Sequence, residues 1–206
     1  MVASKERKIS SMLNFNTGGG SFTPYINYMA SIQGWEMSGD DGKQNFTFKQ
    51  AVFDLNSIQT GWQRWPEGGT PEWIMDQSVE IPAPKPEGEG WKRGFKCRVF
   101  SKSMFGDDSV REWATAGTGA TMGMAALYSA YIKDKQAGKL PVVEFQGGVG
   151  TKVGKGTTSV PTLVITKWID TPEELSVVEE VSAVPSLAAT QAPDDGLGNS
   201  DEDDEF

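Results

Sequence analysis

Charge is divided between two parts of this 206-residue chain, and the division limits how much of it can form a packed core. All 19 Lys and Arg lie between Lys5 and Lys167, so residues 1–170, with 17 acidic side chains, carry a net charge of +2. Residues 171–206 carry 11 acids and no cation, and have no aromatic side chain before Phe206. Such a segment cannot bury enough apolar surface to fold alone. We therefore predict a weakly basic folded domain over residues 21–170, a flexible arm at 1–20 and a disordered acidic tail at 171–206.

The composition excludes several kinds of chemistry. Histidine is absent and Cys97 is the single cysteine, which excludes His-dependent catalytic relays and argues against a zinc site. A lone cysteine cannot form an internal disulfide and is typical of a reducing cytosol. No apolar run reaches the roughly 18 residues that span a bilayer, and no apolar signal core follows the charged N-terminus. We predict a cytoplasmic protein with no membrane contact, no cofactor and no metal.

β-Forming residues and turn signals predict five strands, at residues 22–35, 46–55, 95–103, 141–145 and 160–169. The first two are expected to form a hairpin, and residues 57–90, rich in Pro and Trp, an ordered functional loop. Ser109-Val110-Arg111-Glu112 has the form of a helix capping box. The helix is expected to become regular near Thr121, after two weakening glycines, and to end at Gly138. Three strands, a helix and two strands is the order of an OB-fold. We therefore predict a mainly β, five-stranded OB-fold-like Greek-key barrel with one helix between strands 3 and 4.

The third predicted strand carries a row of cations. Side chains alternate between the two faces of a strand, so Phe95, Cys97 and Val99 are predicted to face the core. The opposite face has four cations, one aromatic ring and no acid: Lys92, Lys96, Arg98, Phe100 and Lys102. Single-stranded nucleic acid binds to cations through its phosphates and stacks its bases on aromatic rings. We interpret the row as a binding face, with an ordinary solvated face as the alternative.

Two other segments predict contacts with nucleic acid. In Trp62-Gln63-Arg64-Trp65 two indoles flank an arginine, a pattern that favours base stacking, although the indoles could instead pin the loop to the barrel. Trp73 is interpreted as packing. The glycine-rich segment 147–158 holds Lys152 and Lys155 and no acid, and the corresponding loop of an OB-fold contacts ligand. It is not a phosphate-binding P-loop, because Gly156 follows Lys155 and a strand, not a helix, is predicted next.

The chain ends in five acids and an aromatic residue: Asp201, Glu202, Asp203, Asp204, Glu205 and Phe206. This ending and the order of elements resemble the single-stranded-DNA-binding proteins of bacteriophages, in particular the replicative ones of T7-like phages. The resemblance implies coating of single strands in DNA replication, recombination and repair, inside an infected bacterial host. It also implies recruitment of a polymerase, primase-helicase or nuclease through the tail, and it leaves homodimerisation open. The same acids are expected to compete with DNA for the cationic face.

From the sequence we predict a non-enzymatic protein that binds single-stranded DNA without sequence specificity. One alternative is a structural or virion assembly protein, whose aromatics and glycine-rich loops would serve contacts between proteins. The other is a metal-dependent nuclease that uses scattered carboxylates. The pairs Asp40-Asp41 and Asp107-Asp108 stand beside glycines, where Asp commonly serves turns and helix caps, and this favours a structural role for them.

Overall fold

Short segments with alternating buried and exposed side chains form ten strands within residues 24–39, 42–107 and 109–176, which the computed structural model describes. The strands are β1 (Tyr25–Met29), β2 (Gly34–Gly39), β3 (Gly42–Phe46), β4 (Gln50–Phe53), β5 (Gln59–Arg64), β6 (Glu72–Met75), β7 (Lys92–Phe100), β8 (Val110–Thr115), β9 (Lys139–Val153) and β10 (Gly156–Asp170). The helices are α1 (Lys102–Phe105), α2 (Thr118–Asp134) and α3 (Glu173–Ser176). The mainly β fold is confirmed, whereas the predicted count of five strands is too low. The predicted arm at 1–20 and the tail beyond Ser176 lie outside the described residues.

All ten strands belong to one sheet. Its order is β10-β9-β4-β7-β8-β1-β2-β3, and neighbouring strands are antiparallel except for the parallel pair β1 and β8. Strand β7 is central, because β8 runs along one of its edges while β4 and β5 share the other. Strand β6 adds to β5 as a short hairpin.

Aromatic side chains dominate the core, which lies between the sheet and α2. Trp35 and Trp113 are almost fully buried, and their ring centroids are 4.8 Å apart in an edge-on arrangement. Phe95 packs edge-on against Trp113 at the same centroid distance of 4.8 Å. Helix α2 contributes Met124, Leu127 and Tyr131 to this core. No described helix is long and apolar enough to cross a membrane.

Two predicted elements are wrong, in segments whose secondary structure is set by tertiary contacts. The aromatic run 22–35 is not one strand, because the chain reverses between β1 and β2, and Gln33 in the turn has a φ of +52°. The segment that begins at Ser109 does not start a helix. Residues Val110–Thr115 form β8, where Arg111 and Trp113 are buried with a period of two and backbone partners are available on β7 and β1. The capping-box spacing there has no capping role.

The remaining boundaries shift in understandable ways. Helix α2 begins at Thr118 and ends at Asp134, and Gly138 lies in the following turn with a φ of +71°. The predicted loop 57–90 is ordered, as expected, but it contains β5 and β6. The predicted loop 147–158 is also mostly strand, because β9 and β10 continue as an antiparallel ribbon to a turn at Gly154 and Lys155.

Candidate nucleic-acid interface

The alternation predicted for β7 is present. Phe95, Cys97 and Val99 are buried in the core, and Lys96, Arg98 and Phe100 are half-buried on the opposite face. Burial also raises the pKa of the Cys97 thiol, which therefore stays protonated at neutral pH. The local geometry of the strand was thus predictable from the sequence.

Carboxylates from other elements neutralise most of the cationic row. Arg98 pairs with Asp54 at 2.6 Å, Lys102 with Glu174 at 2.6 Å, and Lys96 lies 4.0 Å from Glu112. These acids come from the end of β4, from α3 and from β8, so the sequence of β7 gives no sign of them. Lys92 is exposed and, within the described residues, has no carboxylate partner. The interpretation of the whole row as an open cationic face is therefore corrected.

The beginning of the tail covers one end of the row. Helix α3 places Leu175 in a small apolar cluster with Val52, Leu140 and Val142, against which Phe100 packs. The Leu175 carbonyl also accepts a hydrogen bond of 2.8 Å from Arg98. Phe100 and Arg98 therefore serve packing and ion pairing, and the predicted stacking role of Phe100 is not supported by its surroundings.

Tryptophan and cationic side chains meet instead on β5, β6 and β7. We call Trp62, Arg64, Trp73, Trp91, Arg93 and Lys96 the cation–indole cluster. The Arg64 guanidinium carbon lies 4.7 Å from the Trp91 ring centroid, that of Arg93 lies 5.2 Å from Trp62, and the Lys96 ammonium lies 5.3 Å from Trp73. All three distances are within the roughly 6 Å over which a cation is attracted to an indole face.

Two glycines allow Trp73 to lie on the sheet. Gly61 and Gly94 are opposite each other on β5 and β7. A Cβ on Gly94 would lie 3.0 Å from the Trp73 ring and 2.5 Å from the Thr115 carbonyl oxygen, and one on Gly61 would lie 2.5 Å from the Ile74 carbonyl oxygen. Trp73, interpreted from the sequence as packing, is half-buried here and contacts both the sheet and Lys96.

Asp76 holds the segment that follows β6. Its carboxylate accepts hydrogen bonds from the Arg93 guanidinium, from the Thr60 hydroxyl and, at 2.8 Å, from the Ala83 amide. The Arg93 hydrogen bonds are the main reason why the pKa of Asp76 lies far below its usual range. The Trp62 indole donates to the Ala83 carbonyl at 3.0 Å. These contacts fix Trp62 and Arg93 relative to each other.

Trp65 stands apart from these contacts. It follows β5 directly and is 67% exposed, the largest exposed fraction among the large apolar side chains of the described residues. Its neighbour Arg64 is held by Glu72 through hydrogen bonds of 3.0 Å and 2.5 Å. The predicted stacking ring Trp65 is therefore open to solvent beside a fixed cation.

Lys152 and Lys155 lie at the tip of the β9–β10 ribbon. Both are exposed, and neither pairs with a carboxylate in the part of the chain that the structure describes. Between Glu144 and Asp170 the sequence contains three lysines and no acid. The role of Lys152 and Lys155 in binding nucleic acid stays a prediction, and the element that carries them is a ribbon with a fixed register and not a loop.

The structure therefore assembles only some of the predicted residues. Trp62, Arg64, Trp65, Lys92 and Lys96 lie on β5, β7 and their flanks, while Lys152 and Lys155 lie on the ribbon. Sequence reasoning missed Trp91 and Arg93, although both stand beside Lys92. Asp201 to Phe206 lie outside the described residues. No group of three or more possible metal ligands occurs in residues 24–39, 42–107 and 109–176.

Comparisons of the chain with protein-family models, with curated proteins and with solved structures found no match. The resemblance to phage single-stranded-DNA-binding proteins thus rests on the order of elements and the acidic ending alone.

Proposed function

We propose that this protein binds single-stranded DNA without sequence specificity and does not catalyse a reaction. The observation that carries the proposal is the cation–indole cluster, in which three cations lie against three tryptophans on adjoining strands. Stacking on aromatic rings tolerates any base. Each of the three cations in the cluster is itself paired with a carboxylate, Glu72, Asp76 or Glu112, so the phosphate contact is assigned to Lys92. The exposed ring of Trp65 supplies the open stacking surface. Lys92, at the same end of β7, supplies a cation that has no carboxylate partner among the described residues.

The arrangement of elements supports a finer proposal, that the core is related to an OB-fold. The order of three strands, a helix and two strands can be traced through part of the chain. The strands before the helix are the segment β4–β5, β7 and β8, the helix is α2, and the strands after it are β9 and β10. In an OB-fold the face of strands 2 and 3 and the loops 1–2 and 4–5 bind oligonucleotides. The corresponding parts here are β7 with β8, the segment containing β6, and the β9–β10 ribbon. They carry the cation–indole cluster and the ribbon lysines.

The position of α3 bears on the proposed role of the tail. Glu174 and Leu175 contact Lys102, Arg98 and Phe100 at one end of β7, while Lys92 and the cluster lie at the other. Over about eight residues of strand the two ends are roughly 27 Å apart. We propose that the acidic tail starts beside, not on, the DNA site, competes with DNA by its charge and recruits replication proteins. Replacing Asp201, Asp203 and Asp204 by Asn should then tighten DNA binding, and unchanged affinity would remove the competition from the proposal.

The test is a titration of the full chain with an oligo-dT strand, read by tryptophan fluorescence and by anisotropy of the labelled strand at two salt concentrations. We expect quenching and an affinity that falls with salt, as phosphate contacts require. Trp65→Ala should weaken binding by about 5- to 150-fold, which corresponds to roughly 1–3 kcal/mol for one stacked base. Trp65→Phe, which keeps an aromatic ring, is the matched control, and its affinity for oligo-dT should fall much less. No binding by the wild-type protein at low salt would reject the proposal.

A structural or assembly protein is the second candidate. Ile74, Val79 and Ile81, on β6 and the segment after it, are 40–52% exposed and could contribute to a contact between proteins. This candidate predicts large stable oligomers in sedimentation experiments and no response to DNA. The titration and the sedimentation profile together distinguish the two functions.

A further inference from the structure

The geometry points to a second nucleic-acid site, in which the β9–β10 ribbon enters a groove of duplex DNA beside the single-strand site. This inference rests on the proposed function. It assigns Lys152 and Lys155 to the duplex part of a junction between single-stranded and double-stranded DNA. Four properties of the ribbon carry it: projection, fixed direction, charge and width.

The ribbon projects from the sheet. Strand β9 pairs with β4 through Val142, Val143 and Glu144, and the Phe145 amide still donates a hydrogen bond to the Lys49 carbonyl. From Gly148 onward the described strand partner of β9 is β10 alone. Six residue pairs follow, from Gly148 opposite Pro161 to Val153 opposite Gly156. Helix α2 packs against the first three of these pairs through Pro161 and Ser159. The three pairs beyond them form the uncovered tip, which reaches roughly 10 Å at about 3.4 Å per residue.

Helix α2 fixes the direction of the ribbon. A Cβ on Gly119 would lie 2.0 Å from the Ser159 carbonyl oxygen, and one on Gly123 would lie 2.6 Å from the Pro161 ring. Glycine at both positions therefore permits the helix backbone to contact β10 directly. The Tyr28 hydroxyl adds a hydrogen bond of 2.8 Å with Ser159. An isolated two-stranded hairpin is marginally stable in water, so this anchoring provides a rigid base for the exposed tip.

The surface of the ribbon suits a polyanion. Lys152 and Lys155 are at its tip, and no acid occurs between Glu144 and Asp170. On one face lie Val149, Thr151 and Val153, and Val149 is 59% exposed. On the other face, beside Lys152, a Cβ on Gly150 would contact nothing within 4 Å. Glycine and small β-branched residues keep the ribbon thin.

A thin ribbon fits duplex DNA better than it fits one strand. The major groove of B-DNA is about 12 Å wide and admits a two-stranded β-ribbon. Lysines at the tip would contact phosphates on the walls of the groove, and such contacts position a protein without reading sequence. The side chains of the ribbon are mainly Gly, Val and Thr, which offer few hydrogen bonds to base edges. The expected recognition is therefore of duplex shape and charge.

The two sites lie on either side of the same end of α2. Its first turns contact the ribbon through Gly119 and Gly123, and Thr121 and Met124 line a pocket of about 270 Å³ that also includes Arg93 of the cation–indole cluster. A junction could thus place its duplex on the ribbon and its single strand on the cluster. We infer that the protein prefers such junctions to either form of DNA alone.

The test compares three labelled DNAs by anisotropy at one salt concentration: a dT strand, a blunt duplex and a duplex with a dT tail. The double variant Lys152→Gln/Lys155→Gln is compared with Lys133→Gln/Lys135→Gln, which loses the same charge at the other end of α2. We expect the wild-type protein to prefer the tailed duplex. The affinity of the ribbon variant should fall about tenfold for both duplex-containing DNAs and less than about threefold for the dT strand. On duplex, the slope of log affinity against log salt should become shallower by about two units. The control variant should change all three affinities equally and slightly.

Each other outcome has a definite meaning. Wild-type binding to the dT strand but not to duplex, or an unchanged duplex affinity in the ribbon variant, would overturn this inference and leave the proposed function intact. An equal loss on strand and duplex would also overturn it, since the ribbon would then be a general backbone clamp. If the wild-type protein bound no DNA at all, the proposed function would fail first.

Discussion

The guanidinium group of Arg98 lies 2.6 Å from the carboxylate of Asp54, a residue 44 positions earlier whose side chain is only 6% exposed. The same guanidinium donates a hydrogen bond to the Leu175 carbonyl, and so connects the end of β4, β7 and α3. A cation that the sequence places on an open binding face is thus part of the scaffold. This relationship separates residues that stabilise the fold from residues that are free to bind.

Removing Arg98 should therefore affect stability more than DNA binding. Arg98→Met leaves Asp54 buried without its partner, which we expect to lower the free energy of unfolding by about 3 kcal/mol. Urea unfolding measures this change, and Arg98→Met/Asp54→Leu should recover part of the loss. A variant with normal stability and much weaker affinity for oligo-dT would instead identify Arg98 as a phosphate contact.

Lys92 and Lys102 offer a matched comparison, since both belong to the predicted row but, within residues 24–39, 42–107 and 109–176, Lys102 has a carboxylate partner and Lys92 has none. Lys92→Gln should weaken oligo-dT binding by about fivefold and reduce the magnitude of the salt slope by about 0.7, the effect of one lost phosphate contact. Lys102→Gln should leave affinity nearly unchanged. Equal effects from the two substitutions would show that the Glu174 pair opens when DNA binds.

Asp76 should make stability depend on pH in the acid range. Its pKa is lowered in the folded protein, so the ionised form stabilises the fold above the unfolded pKa of 3.8, and this stabilisation is lost as pH falls below that value. Asp76→Asn should lower the free energy of unfolding by about 2 kcal/mol at neutral pH, because hydrogen bonds to a charged group are lost. Thermal unfolding from pH 7 to pH 2.5 measures both effects. The variant should lose less stability than the wild type over this range, and parallel curves would contradict the assignment.

Gly94 should be required for the position of Trp73. Gly94→Ala places a methyl group against the Thr115 carbonyl and the indole ring, so we expect a loss of about 2 kcal/mol in stability and weaker oligo-dT binding. Gly34→Ala on β2 is the control, because its Cβ would come no closer than 3.5 Å to a neighbouring atom. Unfolding curves and binding titrations of both variants test the pair. Normal behaviour of Gly94→Ala would mean that the indole is free to move.

Several features could be predicted because they depend on neighbours in the sequence. The burial of Phe95, Cys97 and Val99 follows from the alternation of side chains along a strand. The ordered tryptophan-rich segment is a similar case, whereas α2 ends at Asp134 and not at the predicted cap Gly138. Val110–Thr115 was mispredicted because its spacing satisfies a helix signal and a strand pattern equally. The burial of Trp113 between β7 and β1 decided between them.

The sequence by itself determined where charge is available: a weakly basic folded part, an acid-free stretch between Glu144 and Asp170, and an acidic ending. It also determined that none of these 206 residues can supply an imidazole to a site. The tertiary structure alone decided which cations remain free, because Asp54, Glu112 and Glu174 reach the β7 row only through strand pairing and the docking of α3. It likewise brought Trp62, Trp73 and Trp91 to their cations. Alternation is a local consequence of backbone geometry, whereas ion pairing and ring contacts depend on which distant segments become neighbours.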